Sequence, residues 1–525
     1  MAGGLTNRPI LDKAPTTDLV LEILSFSGGE NTIGEDQELA SNEAREIKNW
    51  DITSIGGMIR TKGINEVADG AATYTLDVDL LHHHYEGANT EVYGVIEGDL
   101  VIKSGSSINQ EDATAFTSGK LCHAVTAEGD TMWITNSTDN LKYKNRGVAI
   151  AAPTQKPSTA KDRIYFHKSR LIAEGGGSAP TVVEGSQAGN GNWKAGASAW
   201  TASNDAWSAT MPADTTGCVP SWPSGPELTV FTDFEAIALF NFPSVALRPI
   251  QNSHGCSAPY SIAKGNEGVF FLSKFPDLGV YLWDGFNWIN LTEKNDFVDD
   301  INFGQRIFGK YHESRYYLFY NETGSGVSYP NRLRIYDAQF GRWMQRPINA
   351  DLSDNLGYPA ILTRDNNEFY VGSSLKDKFY EIETGTDDEG NNTEATYKTK
   401  DFSSRDFNHE SGAGFVIDDV RLKLSKVTLT FNGTVGAISI QWTADRGIRA
   451  GSITFDSTAT GDLINTTFMV NTSKIISSPP DRTVTKTFAN DAVGRRFNFQ
   501  IINNGTGTRP EVKKIKIHAI AMEEA

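Results

Sequence analysis

The sequence predicts an all-β chain, a β-propeller followed by a C-terminal β-sandwich, and three observations predict it. Glycine is frequent, 49 of 525 residues, and falls between short apolar or alternating runs, which is how closely spaced strands and tight turns are written. Long amphipathic helical patterns are not visible. Aromatic-rich strand-turn-strand units recur roughly every 40 to 60 residues, the period of propeller blades, whose radial repetition leaves few open sheet edges.

The repeated unit is clearest in Val269-Phe-Phe-Leu-Ser273, then Gly279-Val-Tyr-Leu-Trp-Asp-Gly285 and Trp288: a strand, a turn, and a second strand closing on an aromatic-Asp turn. Tyr316 to Tyr320 with Leu333 to Asp337 and Gly341-Arg-Trp343 repeats that order, and Phe369 to Gly372 with Lys378 to Ile382 is a shorter copy. Thr131 to Thr135 with Leu141 to Tyr143, and Val95 to Ile102, read as earlier copies. Further strands are expected over Arg163 to His167, Arg170 to Ala173, Leu228 to Thr232 and Ala236 to Phe240.

The texture changes near Gly385. Thr384 to Thr393 carries Asp387, Asp388, Glu389, Gly390, Asn391 and Asn392, a solvated, turn-rich boundary. Beyond it the strands lengthen and alternate, as in Val420 to Phe431, Ala437 to Thr443, Arg496 to Ile502 and Glu511 to Ala521, so one face is buried and one wet. The expected organisation is therefore an N-terminal arm with first strands over 1–60, a propeller over 61–385 and a sandwich over 386–525. Residues 175–225 are rich in Gly, Ser, Ala, Asn and Pro, with Trp193, Trp200, Trp207 and Trp222 at wide intervals. They read as a long excursion from the propeller whose tryptophans are candidates for contact with a partner.

Charge and cysteine usage narrow the function classes. With 48 Lys+Arg against 65 Asp+Glu, a formal charge of -17 and a pI near 5.1, the chain would repel nucleic acid on average. Cys122, Cys218 and Cys256 form no C-x-x-C pair and are an odd number, so they read as small buried free thiols of a reducing cytoplasm. Met1 to Leu11 lacks the pattern of a signal peptide, and no apolar run approaches the roughly 18 residues of a membrane helix. The expectation is a soluble protein with no export route and no membrane insertion.

Candidate chemistry is sparse. His82-His83-His84 tempts as a metal site, but in a strand only His82 and His84 share a face, and no second His or Cys cluster completes it; a solvated strand end or subunit contact is the simpler reading. Thr126 to Trp133 resembles an Asp-box turn with Asp130 displaced, and reads as a hairpin. Asp299-Asp300 and Asp387-Asp388-Glu389 read as turn and loop acids, since neither fits an EF-hand. Lys513, Lys514 and Lys516 with Arg495, Arg496 and Arg421 read as the wet face of strands. No phosphate loop, nucleophile elbow or zinc-protease helix occurs. No catalytic, cofactor or metal residue is assigned, and the chain is expected not to be an enzyme.

The order of motifs resembles a family of tailed-phage virion proteins, the propeller-containing tail nozzle or tail hub, also called packaged-DNA stabilisation protein, of short-tailed phages. The resemblance rests on Gly28-Gly29, Asn42-Glu43-Ala44, Asn49-Trp50 and Gly56-Gly57-Met58-Ile59-Arg60 to Gly63. A Trp-rich insertion, Leu228-Thr-Val-Phe231, Gly255-Cys-Ser-Ala-Pro259 with Ser261-Ile262, Val269 to Ser273 and Asp284-Gly285 follow, then Leu291-Thr292, Asp299-Asp-Ile-Asn302, Tyr336-Asp337 and Trp343. It covers roughly residues 28–385, with a looser match of the sandwich. It implies a ring, a hexamer, that contacts an adaptor or connector ring, supports tail fibres or spikes, and retains the genome until ejection. The chain would sit in the virion tail or neck after assembly in the host cytoplasm, with double-stranded DNA in transient passage. The alternative expectation is a glycan-binding or glycan-cleaving propeller at the tail tip, and a bacterial cell-surface propeller is disfavoured by the missing export signal.

Overall fold

The computed structural model describes residues 18–34, 39–70, 73–74, 78–86, 89–127, 131–153, 156–157, 159–188, 206–220, 228–325, 330–347, 356–362, 368–373, 377–388, 393–409, 420–432, 438–455, 481–505 and 509–522. The chain divides into two compact units, Lys62–Asn391, and Met1–Thr61 together with Asn392–Ala525.

Among the described residues, the first unit is a seven-bladed β-propeller. Blade 1 is Val78–Glu86, Asn89–Ile96, Asp99–Ser104 and Ser107–Asp112, and blade 2 is Cys122–Ala127, Thr131–Asn136 and Lys142–Lys144. Blade 3 is Arg163–His167, Arg170–Glu174, Val182–Gly185 and Trp207–Thr210; blade 4 is Thr215–Pro220, Leu228–Thr232, Ala236–Phe240 and Ala246–Pro249. Blade 5 is Ala263–Lys264, Val269–Ser273, Gly279–Trp283 and Trp288–Asn290, and blade 6 is Phe308–His312, Arg315–Tyr320, Arg332–Asp337 and Arg342–Pro347. Blade 7 takes three strands from the end of the unit, Leu356–Leu362, Glu368–Ser373 and Lys378–Thr384, and its fourth, Gly63–Asp69, from the beginning. The first strands of successive blades neighbour one another around a closed circle, with the turn Pro259–Ser261 completing the short first strand of blade 5.

Neighbouring blades cover both faces of the second strands. Every residue of Val269–Ser273, Leu228–Thr232 and Thr131–Asn136 is buried, as is every residue of Gly279–Trp283, the third strand of blade 5. Blades meet through their aromatics: Phe231 lies 4.9 Å from Phe271, and Phe270 stacks on Tyr316 at 5.2 Å. Each such side chain contributes about 1.5–3 kcal/mol through the apolar surface it hides.

Circular closure depends on Gly63–Asp69, and two features hold it. Gly63 runs so close to the following loop that a Cβ there would sit 2.0 Å from the Asp387 carbonyl oxygen. Asp388 accepts the Ile64 N–H at 2.9 Å and pairs with Arg346 of blade 6 at 2.8 Å, with both charged side chains almost fully buried. Asp387 and Asp388 do mark a change of texture in the chain, but Asp388 is not a solvated loop acid: it clasps the ring.

The second unit is the sandwich. One sheet runs Asn408–His409, Asp18–Ile23, Glu511–Met522, Arg421–Asn432 and Arg482–Thr487, and the other includes Glu43–Lys48, Ala395–Thr399, Arg496–Asn503, Ile438–Ala444 and Arg449–Phe455. Burial alternates along Ile438–Ala444. Along Arg421–Asn432 it slips once, where a bulge falls between Leu424 and Lys426. From Asp18 onward the described N-terminal residues belong to the sandwich and form no separate arm. Asp18–Ile23 lies against Glu511–Met522, with Leu21 opposite Ile517, and Trp50 is fully buried. Lys514 and Lys516 pair with Glu22 and Lys513 with Asp481, so these lysines sit on a wet, ion-paired face. Glu22 is held below the usual carboxylate range chiefly by its hydrogen bond from Lys514.

Candidate functional site: the propeller axis

A cavity with several polar side chains in its lining lies where the first strands of the propeller converge. His123 on blade 2, Arg163 and Tyr165 on blade 3, Cys218 on blade 4, Tyr260 before blade 5 and Lys310 on blade 6 line an axial cavity of about 200 Å³. Alternation within each first strand brings them there, since every second side chain of an innermost strand faces the axis.

The electrostatics of this cavity are uneven. Arg163 forks onto Glu174, its Nε donating to Oε1 and a terminal nitrogen to Oε2 at 3.3 Å, and also donates to the Thr215 carbonyl at 3.2 Å. The Thr215 hydroxyl and the Tyr165 hydroxyl donate to the same carboxylate, Tyr165 at 3.4 Å. The Arg163 guanidinium lies 5.7 Å from the Tyr260 ring centre. This charge is matched. Lys310 has no carboxylate or hydrogen-bond partner among the described residues, and burial lowers its pKa.

The imidazoles beside it are neutral. His123 is depressed to about 3 by burial first, then by Lys310 and Arg163. Its Nδ1 accepts the Ile164 N–H at 3.4 Å, which places the ring proton on Nε2. His82 is pushed well below its ordinary value by burial, with His84, Lys310 and His123 adding to it. Cys218 is no nucleophile, because burial and Glu174 raise its thiol pKa. All three cysteines are buried free thiols, and burial pushes Cys256 up to about 12. The chemistry available is the holding of a ligand by fixed donors.

His82 and His84 do share a face: their Nε2 and Nδ1 lie 3.0 and 3.2 Å from the Thr126 hydroxyl of blade 2, while His83 turns to Tyr85. The strand is the innermost of blade 1 and not a solvated strand end. No group of three or more His, Cys, Asp or Glu suited to a metal occurs among the described residues. Asp299 and Asp300 are exposed in a 3-10 turn, and Cys122–Ala127 pairs with Thr131–Asn136 as a hairpin, with Asp130 outside the described residues.

The expectation that Trp207 reaches a partner from a polar loop is corrected: it lies in the outer strand of blade 3, 7% exposed, with its ring 5.0 Å from Phe242. Gly185 leaves room for that ring, since a Cβ would come within 2.2 Å of it. Its surroundings of Gly, Ser and Ala disguised a strand whose neighbours are small because the indole fills their space. The 175–225 excursion shrinks accordingly, because Val182–Gly185, Trp207–Thr210 and Thr215–Pro220 are blade strands. Trp193, Trp200 and Trp222 lie outside the described residues.

A second concavity, about 490 Å³, opens on the sandwich sheet between Lys398, Gln441, Thr443, Asn498 and Gln500. Its one aromatic neighbour among the described residues, Trp442, is only 2% exposed.

Compared with known protein families and with curated proteins, the chain matches none. Solved structures resemble it distantly. The extracellular domain of a hybrid two component system of B. thetaiotaomicron, BT3049, is 9% identical over 90% of this chain with a TM-score of 0.43, and that of a one component system, BT4673, is 8% identical over 61% with a TM-score of 0.43. The chain spans 62% and 40% of those two proteins. The WD40 β-propeller domain of Doa1 is 10% identical over 62% of this chain and 96% of its own, with a TM-score of 0.38. These likenesses carry no functional argument, and the propeller assignment rests on the strand pairings themselves. No helix among the described residues is long and apolar enough to cross a membrane.

Proposed function

We propose that the chain is a structural protein of a phage tail or neck, a homo-oligomer that closes as a hexameric ring below the head-to-tail connector. In this reading it docks on an adaptor ring, supports tail fibres or spikes, retains and then conducts double-stranded DNA, and works by packing and electrostatics without catalysis. Its place is the virion, after assembly in the host cytoplasm.

The observation that carries the reading is that the motif residues behind the family resemblance each fill a structural role in the fold. Gly28 donates its N–H to the Asn42 carbonyl at 3.0 Å and Asn31 to that of Ala44 at 2.9 Å, while Glu43 accepts from Asn31 and from the Ala40 N–H. Asn49, at a φ of 53°, donates its side-chain amide to the Glu394 carbonyl, next to the buried Trp50. Gly56, at a φ of 83°, accepts the Phe26 N–H. Farther along, Gly255 passes so near the Asp233 carbonyl that a Cβ would lie 2.1 Å from it, Ser261 accepts the Leu272 N–H, and Asp284 caps its own turn through Phe286 and Asn287. Residues that do separate structural jobs in a fixed order are harder to match by chance than a run of strands.

Conduction of DNA belongs to a passage between subunits, because a cavity of about 200 Å³ at the propeller axis has room for waters or one small ion and not for a duplex. A uniformly basic passage would hold phosphate at every step, so the shared lumen is acidic or neutral at its narrowest point, in keeping with the charge of -17. A glycan-recognising tail tip gains only the polar concavity on the sandwich, which lacks an exposed aromatic platform among its described residues. Native mass measurement of the purified full chain, alone and with its adaptor ring, tests the assembly. A species of six times 57.4 kDa is expected, and a monomer under both conditions would contradict it.

A further inference from the structure

We propose that the axial cavity of the propeller is a binding site for one small oxyanion of the phosphate class, seated against the Lys310 ammonium with His123 and Arg163 at its sides. The inference is independent of ring assembly. Three cations line the cavity, Arg163, Lys264 and Lys310, and the inference rests on the mismatch between Arg163 and Lys310. Arg163 is satisfied by Glu174 and the Thr215 carbonyl. Lys310 lines the same cavity and meets no acceptor among the described residues. Lys310 is half-buried, and an ammonium partly withdrawn from bulk water without a counter-charge is favoured by an anion in the adjoining space.

The lining fits a tetrahedral anion better than a planar one. Lys310, His123 and Arg163 approach from blades 6, 2 and 3, so donors surround the cavity instead of facing it from one side. The neutral His123 ring carries its proton on Nε2, a donor, because Nδ1 already accepts the Ile164 N–H. Tyr165 and Thr215 hold the Glu174 carboxylate beside Arg163, so that this acid is already occupied by its own donors. A cavity of about 200 Å³ accommodates one such ion with a few waters, and no folded polymer.

Equilibrium dialysis of the full chain with radiolabelled inorganic phosphate, at constant ionic strength in chloride, tests the site. One phosphate per chain, displaced by sulfate and not by acetate, is the expected result. Lys310→Met is expected to weaken binding about tenfold or more, with Lys310→Arg retaining most of it. Should Lys310→Met fail to fold, phosphorus NMR line broadening of free phosphate by the wild-type chain, reversed by sulfate, gives the same answer. No saturable binding by the wild-type chain, or equal binding by a folded Lys310→Met chain, would overturn the proposal, and tighter binding of acetate would overturn the class of anion. A short 5′-phosphorylated oligonucleotide run in parallel identifies the source: a preference for it over inorganic phosphate would overturn the free-ion assignment.

Discussion

Replacing Asp388 with alanine is expected to destabilise the chain by about 3–5 kcal/mol, because it takes away the buried carboxylate that faces the Arg346 guanidinium and the acceptor of the Ile64 N–H. The loss falls on the clasp of the propeller. Gly63–Asp69 is the only strand of its blade drawn from the start of the unit, and its antiparallel pairing with Lys378–Thr384 closes the circle. Urea unfolding should show the drop, and hydrogen exchange should show Ile64 and its neighbours losing protection before the second strands of the other blades. Pairing Asp388→Leu with Arg346→Met should recover much of the loss, since two apolar groups need no counter-charge. A single Asp388→Ala change costing under about 1 kcal/mol would mean that the pair is not desolvated as its burial indicates.

Stability should also fall as pH drops below neutrality, through the axial histidines. His123 titrates near 6.5 when unfolded and at about 3 when folded, so below 6.5 the unfolded chain binds the additional proton. The contribution is complete above about 6.5 and is lost progressively as pH falls towards about 3, amounting to about 2 kcal/mol at pH 5 for this one residue. His82 adds in the same direction. Lys310 opposes a further positive charge on both rings, and Arg163 opposes one on His123. Chemical denaturation at pH 7.5 and pH 5.0 measures the difference, and His123→Gln should remove its share. An unchanged pH dependence in that variant would show that the proton is taken up elsewhere.

What the sequence made legible follows from which surfaces each strand contacts. Leu228–Thr232, Ala236–Phe240 and Val269–Ser273 agree with the structure to the residue, because second and third strands buried between blades carry runs of apolar residues. The first strands were largely hidden, since Phe308–His312 and Val78–Glu86 mix apolar residues with Lys, Asp and His. Asp18–Ile23 and Gly63–Asp69 have partners hundreds of residues away, which no local pattern encodes. The pairing of His82 with His84 was legible from alternation alone. The approach of His82 to His123 and Lys310 was not, because it exists only once the blades have closed. A search of the short strand preceding each apolar repeat for basic and imidazole side chains would have found that set.

The assembly claim is tested most directly by imaging the parent particle with an epitope tag on this chain. The account predicts a closed ring of six tagged subunits immediately below the connector, with an open lumen between subunits and acidic or small polar side chains at its narrowest point. Label elsewhere on the particle, or none, would contradict it, as would a lumen lined with Lys and Arg along its whole length.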